Sequence, residues 1–214
     1  MRPRPRIYPV GLVLDGQPCL VVGGDEIAAR KAAGLVAAGA KVTVIAPDIS
    51  PAFAGLDVEV EIRCYRSGDV APYRLVITAT GDRDVDSAIY LEAKSHGIFV
   101  NSADDPDNCS MFLPAVLRRG PVTVSVSTDG SAPALASWLR DAIAELVDER
   151  TEMLAETVSS IRSELRARGH STLKFDWSAL IDSLDRANKA GGQREVLVAL
   201  SGEWLNAELV RLSA

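Results

Sequence analysis

A chain of 214 residues with 47% hydrophobic and 24% charged side chains can bury a substantial core, as one large domain or two small ones. Its 23 basic and 29 acidic side chains leave a net charge of −6, which argues against a general nucleic-acid binder but still allows a local basic site. Three distant cysteines, Cys19, Cys64 and Cys109, lack C-x-x-C spacing, so neither a disulfide framework nor a zinc site is indicated and a reducing cytoplasm is expected.

The basic start, MRPRPRIYPV, has no apolar stretch after it, so it reads as an extended arm rather than a signal peptide. No run of about 18 apolar residues follows anywhere, so no membrane span is expected. Pro18–Val22 is a short, β-branched first strand that stops at Gly23 and Gly24. A helix is expected from Glu26 to Ala38, with Gly39 as its stop. Lys41–Ala46 is a second strand, ended by Pro47. Val58–Cys64 alternates apolar and polar residues and should be a half-exposed strand at a sheet edge. Leu75–Ala79 is a buried fourth strand, Asp84–His96 a helix ended by Gly97, and Ile98–Val100 a fifth strand. Strands alternating with helices at this spacing predict an α/β fold, a Rossmann-like, doubly wound parallel sheet. Beyond Leu113 the pattern changes. Val122–Ser127 is a strictly alternating strand, and Pro133 opens a helix over Ala134–Val147. Helices are then expected over Glu152–Ala167, Trp177–Asn188 and Arg194–Leu212, the last broken at Gly202.

The first strand, glycine turn and helix form a unit suited to a dinucleotide: a bare turn lets a pyrophosphate approach, and free N–H groups at the helix start hold its charge. Gly23, Gly24, Asp25, Glu26 and Ile27 are the cofactor-binding candidates from this turn. The fingerprint G-x-G-x-x-G/A falls on Gly23, Asp25 and Ala28, so an acid stands where the second glycine belongs. A carboxylate about 4 Å from a phosphate near a surface repels it by roughly 4 kcal/mol, about a thousandfold in affinity. Asp25 is also a good N-cap, able to occupy N–H groups meant for phosphate. Either the loop turns Asp25 to solvent and cofactor use survives, which is the expectation, or NAD use is lost. Pro47 and Asp48, after the second strand, are placed to meet the adenine ribose; an acid there would repel a 2′-phosphate and favour NAD over NADP. Asp is equally common in ordinary turns. Thr80, with Gly81 and Asp82, follows the fourth strand at the same edge. Asn101–Cys109, NSADDPDNC, follows the fifth strand, where paired acids are placed for proton transfer; the same residues also suit a plain turn.

These segments together resemble the precorrin-2 dehydrogenase/sirohydrochlorin ferrochelatase family, the N-terminal part of siroheme synthase. The likeness is carried by VVGGDEIAARK (21–31), VTVIAP (42–47), VNSADDPDNC (100–109), FLPA (112–115) and VSTDGSAPALA (126–136), and runs from about Tyr8 to Val147. The resemblance implies a Rossmann-like NAD-binding domain over 1–113, a dimerisation segment over 114–147 and a helical domain over 148–214, in a homodimer. It implies NAD-dependent oxidation of precorrin-2 to sirohydrochlorin, with ferrous iron insertion as a second activity in some members. The family's catalytic aspartate falls on Asp104, poised as a base by partial burial beside the ligand. Asn101, Ser127 and Thr128 then fall at the tetrapyrrole site, Thr128 standing where the family carries serine. A substrate with eight carboxylates calls for arginines, and Arg118 and Arg119 are the candidates, with Arg140 and the N-terminal arm behind them. His96 and His170 stand alone, so no resident metal site is expected. If Asp25 abolishes NAD use, the alternative is a chelatase or a tetrapyrrole-binding protein. A nucleotide-sensing domain is disfavoured, since it gives no reason for the 126–136 loop.

Overall fold

The computed structural model describes residues 6–173, 175–189, 201–207 and 210. They fall into two compact units, Met1–Leu113 with Asp129–Ser131, and Pro114–Thr128 with Ala132–Ala214.

The first unit is built from β1 (Pro18–Val22), α1 (Glu26–Val36), β2 (Lys41–Ala46), β3 (Val58–Ile62), β4 (Leu75–Thr78), α2 (Arg83–Ser95) and β5 (Phe99–Ser102). The strands form one sheet in the order β3-β2-β1-β4-β5, every pair parallel. The chain moves outward through β2 and β3, then returns past β1 to β4 and β5, so the direction of travel reverses between β1 and β4. A crevice opens outside the strand ends at such a reversal. Alternation along the strands divides the core between two faces. Cys19, Val21, Val42, Val44, Leu75 and Ile77 pack with Ala28, Ala32 and Leu35 of α1. Leu20, Val22, Ile45, Val76 and Val100 pack with Ile89 and Ala93 of α2. Burial on both faces is why β1, β2 and β4 read as unbroken apolar runs.

Helix α1 ends at Val36, short of the expected Ala38, because the Ala40 N–H turns back to the Leu35 carbonyl at 3.1 Å. β3 is the edge strand its alternation predicted, but Val60 and Ile62 are exposed. β5 extends two residues past Val100, into the polar pair Asn101–Ser102.

The second unit contains β6 (Ala115–Arg119) and β7 (Val122–Val126), an antiparallel hairpin closed by Gly120–Pro121, with α3 (Pro133–Ala144) packed on both strands. β6 had not been anticipated: A-V-L-R-R does not alternate clearly, and only its partner β7 makes it a strand. α4 (Glu149–Ala167) begins a turn earlier than expected because Asp148 caps it, accepting from the N–H groups of Arg150 and Thr151. α4 and α5 (Trp177–Lys189) enclose Ile161, Leu165, Phe175, Leu180, Leu184 and Leu205. Of the helix expected over Arg194–Leu212, residues 201–207 are helical, with Gly202 inside them, and most of the remainder lies outside the described residues. Among the described residues no helix is long and apolar enough to cross a membrane.

Candidate functional site

The β1–α1 turn is squeezed between two neighbouring strand ends. A Cβ on Gly23, whose φ is +136°, would lie 2.2 Å from the Ala79 carbonyl oxygen after β4. A Cβ on Gly24 would lie 1.8 Å from the carbonyl oxygen of Asp48 after β2. Hydrogen bonds tie the turn on both sides, from Gly23 N–H to Ile45 O at 3.0 Å and from Ser50 N–H to Gly24 O at 2.7 Å. Both glycines are therefore required by the fold, whatever ligand the turn meets.

Asp25 is exposed, and its Oδ1 accepts the Ala28 N–H at 2.8 Å, capping α1. The cap uses one of the helix's first donors. The N–H groups of Glu26 and Ile27 have no acceptor among the described residues and remain available to an anion.

A cavity of about 860 Å³ opens at these strand ends, lined by Gly23, Gly24, Asp25, Pro47, Asp48 and Thr80 among others. Six of the cofactor candidates thus line one cavity, and Glu26 and Ile27 follow them at the start of α1. Ser50, Cys64 and Tyr65 also line the cavity and were not foreseen, since neither spacing nor motif marks them. Tyr65 is anchored through its hydroxyl, which donates to Glu92 at 2.6 Å; burial, together with that carboxylate, raises its pKa well above the usual phenol value. On the β4 side Asp82 caps α2, accepting from Asp84 N–H at 2.9 Å and Val85 N–H at 3.3 Å. Asp86, buried one turn into α2, accepts from the hydroxyls of Thr78 and Thr80.

Asp104 does not line this cavity. Its loop is fastened to the end of β5 instead: Ser110 Oγ accepts the Val100 N–H at 2.8 Å, and Ser110 and Met111 N–H both donate to Val100 O. Asn101, buried, donates from Nδ2 to Met111 O at 3.2 Å and accepts from the Lys31 ammonium at 2.9 Å. The Cys109 thiol takes the Ser102 N–H at 3.2 Å. These bonds hold a loop in which Asp104 adopts φ = +57°, a left-handed conformation that Asp and Asn tolerate better than most residues. Asp104 is exposed in the chain by itself, so the partial burial expected beside the ligand has to come from what binds there. Burial lowers the Lys31 ammonium's pKa while Cys109 and Asp104 act against that, and burial raises the Cys109 thiol's. Lys31 is a site neighbour the sequence reading missed, because in A-A-R-K it looks like solvated helix surface.

The remaining substrate candidates belong to the second unit. Arg118 and Arg119 are exposed at the end of β6. Ser127 and Thr128 follow β7, and Thr128 Oγ1 accepts the Ala132 N–H at 3.1 Å. Arg140 on α3 pairs with Asp141 at 2.7 Å. Among the described residues no group of three or more His, Cys, Asp or Glu could hold a metal.

Fold and crevice together define a Rossmann-type α/β protein with an open cavity at the strand-order reversal. Residues 10–115 match a family model described as "Putative NAD(P)-binding", and residues 119–146 match "Sirohaem biosynthesis protein central". The siroheme synthase of Acinetobacter baylyi is 38% identical over 167 residues, 76% of this chain and 36% of that protein. That of Methylococcus capsulatus is 40% identical over 162 residues, 74% of this chain and 34% of that protein. The chain thus spans about a third of the length of these curated relatives. A solved structure titled "SirC, precorrin-2 dehydrogenase" superposes with a TM-score of 0.65 at 26% identity, covering 94% of this chain and 98% of that one. The chain belongs to the precorrin-2 dehydrogenase/sirohydrochlorin ferrochelatase family, the N-terminal part of siroheme synthase.

Proposed function

We propose that this protein oxidises precorrin-2 to sirohydrochlorin with NAD as hydride acceptor, acting as a cytoplasmic homodimer with a cofactor domain over 1–113, a dimerisation segment over 114–147 and a helical domain over 148–214. The observation that carries the reading is the crevice at the ends of β2, β1 and β4, which Gly23, Gly24, Asp48 and Thr80 line and where α1 offers the Glu26 and Ile27 N–H groups. The two amides receive the pyrophosphate, and Asp48 takes the adenine-ribose hydroxyls. A negative charge at Asp48 disfavours a 2′-phosphate, which supports NAD over NADP.

The bound nicotinamide supplies the hydride acceptor. Oxidation of precorrin-2 also releases a proton, and Asp104, held at the end of β5 by the Asn101 and Cys109 hydrogen bonds, receives it. Asn101, Ser127, Thr128, Arg118 and Arg119 orient the substrate, the arginines by pairing with its carboxylates.

The test is spectroscopic. Purified protein with precorrin-2 and NAD should yield the sirohydrochlorin spectrum, with NADP at least tenfold less effective at equal concentration. No saturable NAD binding at millimolar cofactor would overturn the dehydrogenase reading. Adding ferrous iron to the product in the same cuvette reads out whether the chain also inserts metal.

A further inference from the structure

Asp86 is 5% exposed, sits in the first turn of α2 and has no cationic partner among the described residues. Its Oδ1 is the meeting point of three donors: the Thr78 hydroxyl, the Thr80 hydroxyl at 2.7 Å and the Thr80 N–H at 3.4 Å. A buried carboxyl so placed, at the start of a helix, is held by donors and by the helix dipole together. Neither the family motifs nor the proposed reaction uses it.

Its consequence falls on Thr80, which lines the cavity. The Thr80 hydroxyl has one proton and two acceptors in reach, Asp86 Oδ1 at 2.7 Å and the Asp82 carbonyl at 3.1 Å. The shorter distance and the carboxylate's charge both send the proton to Asp86. Asp82 N–H donates to Thr80 Oγ1 at 3.1 Å and uses one lone pair. One lone pair is left, and it makes Thr80 an acceptor only toward a ligand.

Strand order says which half of the ligand this acceptor meets. With β2 on one side of β1 and β4 on the other, Asp48 and Thr80 flank the glycine turn from opposite sides. If Asp48 holds the adenine ribose and the turn holds the pyrophosphate, the β4 side faces the nicotinamide riboside. We propose that Asp86 is a positioning residue that fixes Thr80 as a hydrogen-bond acceptor for a donor on the nicotinamide half of the dinucleotide, a ribose hydroxyl or the carboxamide N–H. This rests on the cofactor reading above.

The test is a double-mutant cycle in the full chain, with NAD, ADP-ribose and ADP titrated by calorimetry. Thr80→Val and Asp86→Ala should each weaken NAD binding about tenfold, the size of one lost hydrogen bond, and the double variant should weaken it no further. ADP binding should stay within twofold in all three. Asp86→Asn keeps an acceptor oxygen and should recover most of the affinity. If ADP-ribose weakens in parallel with NAD, the donor is a ribose hydroxyl; if it does not, the donor is the carboxamide. Additive losses, equal weakening of ADP, or unchanged NAD binding in Thr80→Val would overturn the proposal. Thr80→Val keeps volume and leaves Asp86 in place, so the test survives an Asp86→Ala chain that fails to fold. Wild-type protein that binds ADP but not NAD would instead defeat the dehydrogenase reading.

Discussion

Asp25 brings a carboxylate to the start of α1, where a glycine would leave every amide free. Its Oδ1 accepts the Ala28 N–H, while the Glu26 and Ile27 amides have no acceptor among the described residues. Asp25→Gly should cost only a few tenths of a kcal/mol in stability, because glycine is itself a tolerated N-cap. It should tighten NAD binding by about tenfold or more by removing a like charge. Calorimetric titration with a melting curve checks both, and unchanged affinity would defeat the charge argument. Asp104 is better probed by asparagine than by alanine, since Asn keeps the shape and tolerates φ = +57°. Asp104→Asn should lower kcat by about 10²–10⁴ with the melting temperature preserved. A variant of full activity would remove Asp104 from the mechanism. At this scale the motif positions were legible and their partners were not. N-S-A-D-D marks Asp104, but nothing in the sequence joins it to Lys31, which lies 73 positions earlier and reaches Asn101 only through packing of α1 on the sheet.

Among the elements, the β1–α1 turn is the least forgiving. Gly24→Ala would drive a methyl into the Asp48 carbonyl, and backbone cannot move aside as a side-chain tip can. A loss of about 1–3 kcal/mol, read from urea unfolding, is expected. The edge strand β3 has a different weak point. Arg63, just beyond it, forks onto Asp69 at 2.6 and 3.1 Å and also meets Glu61 at 2.7 Å. Hydrogen bonds from Arg63, then the Arg66 N–H, hold the Asp69 carboxyl below its ordinary value of 3.8. A folded-state pKa depressed in this way adds stability that is complete above the unfolded value and is lost as pH falls through the folded one. The melting temperature should therefore drop as pH is taken below 3.8, and Asp69→Asn should flatten that drop. An unaltered acid limb would show that the fork contributes nothing. Strand periodicity and the glycine stops predicted these elements well, because burial on both faces leaves a plain apolar signature. β6 escaped because a two-residue loop and a partner strand, not its own pattern, make it a strand.

For the whole molecule, the second unit leaves apolar surface uncovered. Trp138 is 64% exposed and Leu135 is 49% exposed, three residues apart on α3, and so on neighbouring positions of one helix side. A dimer would cover such a stripe. Trp138→Glu should then shift the protein toward monomer in analytical ultracentrifugation, and lower activity if the substrate site is shared between copies. A dimer unchanged at micromolar concentration would place the interface elsewhere.

The sequence by itself determined the order of strands and helices apart from β6, the family, and the positions of the glycine turn, Asp48, Thr80 and Asp104, because period and motif are local and survive in one dimension. The tertiary structure decided that both glycines are demanded by neighbouring carbonyls and that Asp104 is exposed on a loop pinned to β5. It also brought Asp86 to Thr78 and Thr80. Each of these depends on which strand ends lie side by side, and β1 meets β4 only after the chain has left it, added β2 and β3, and come back.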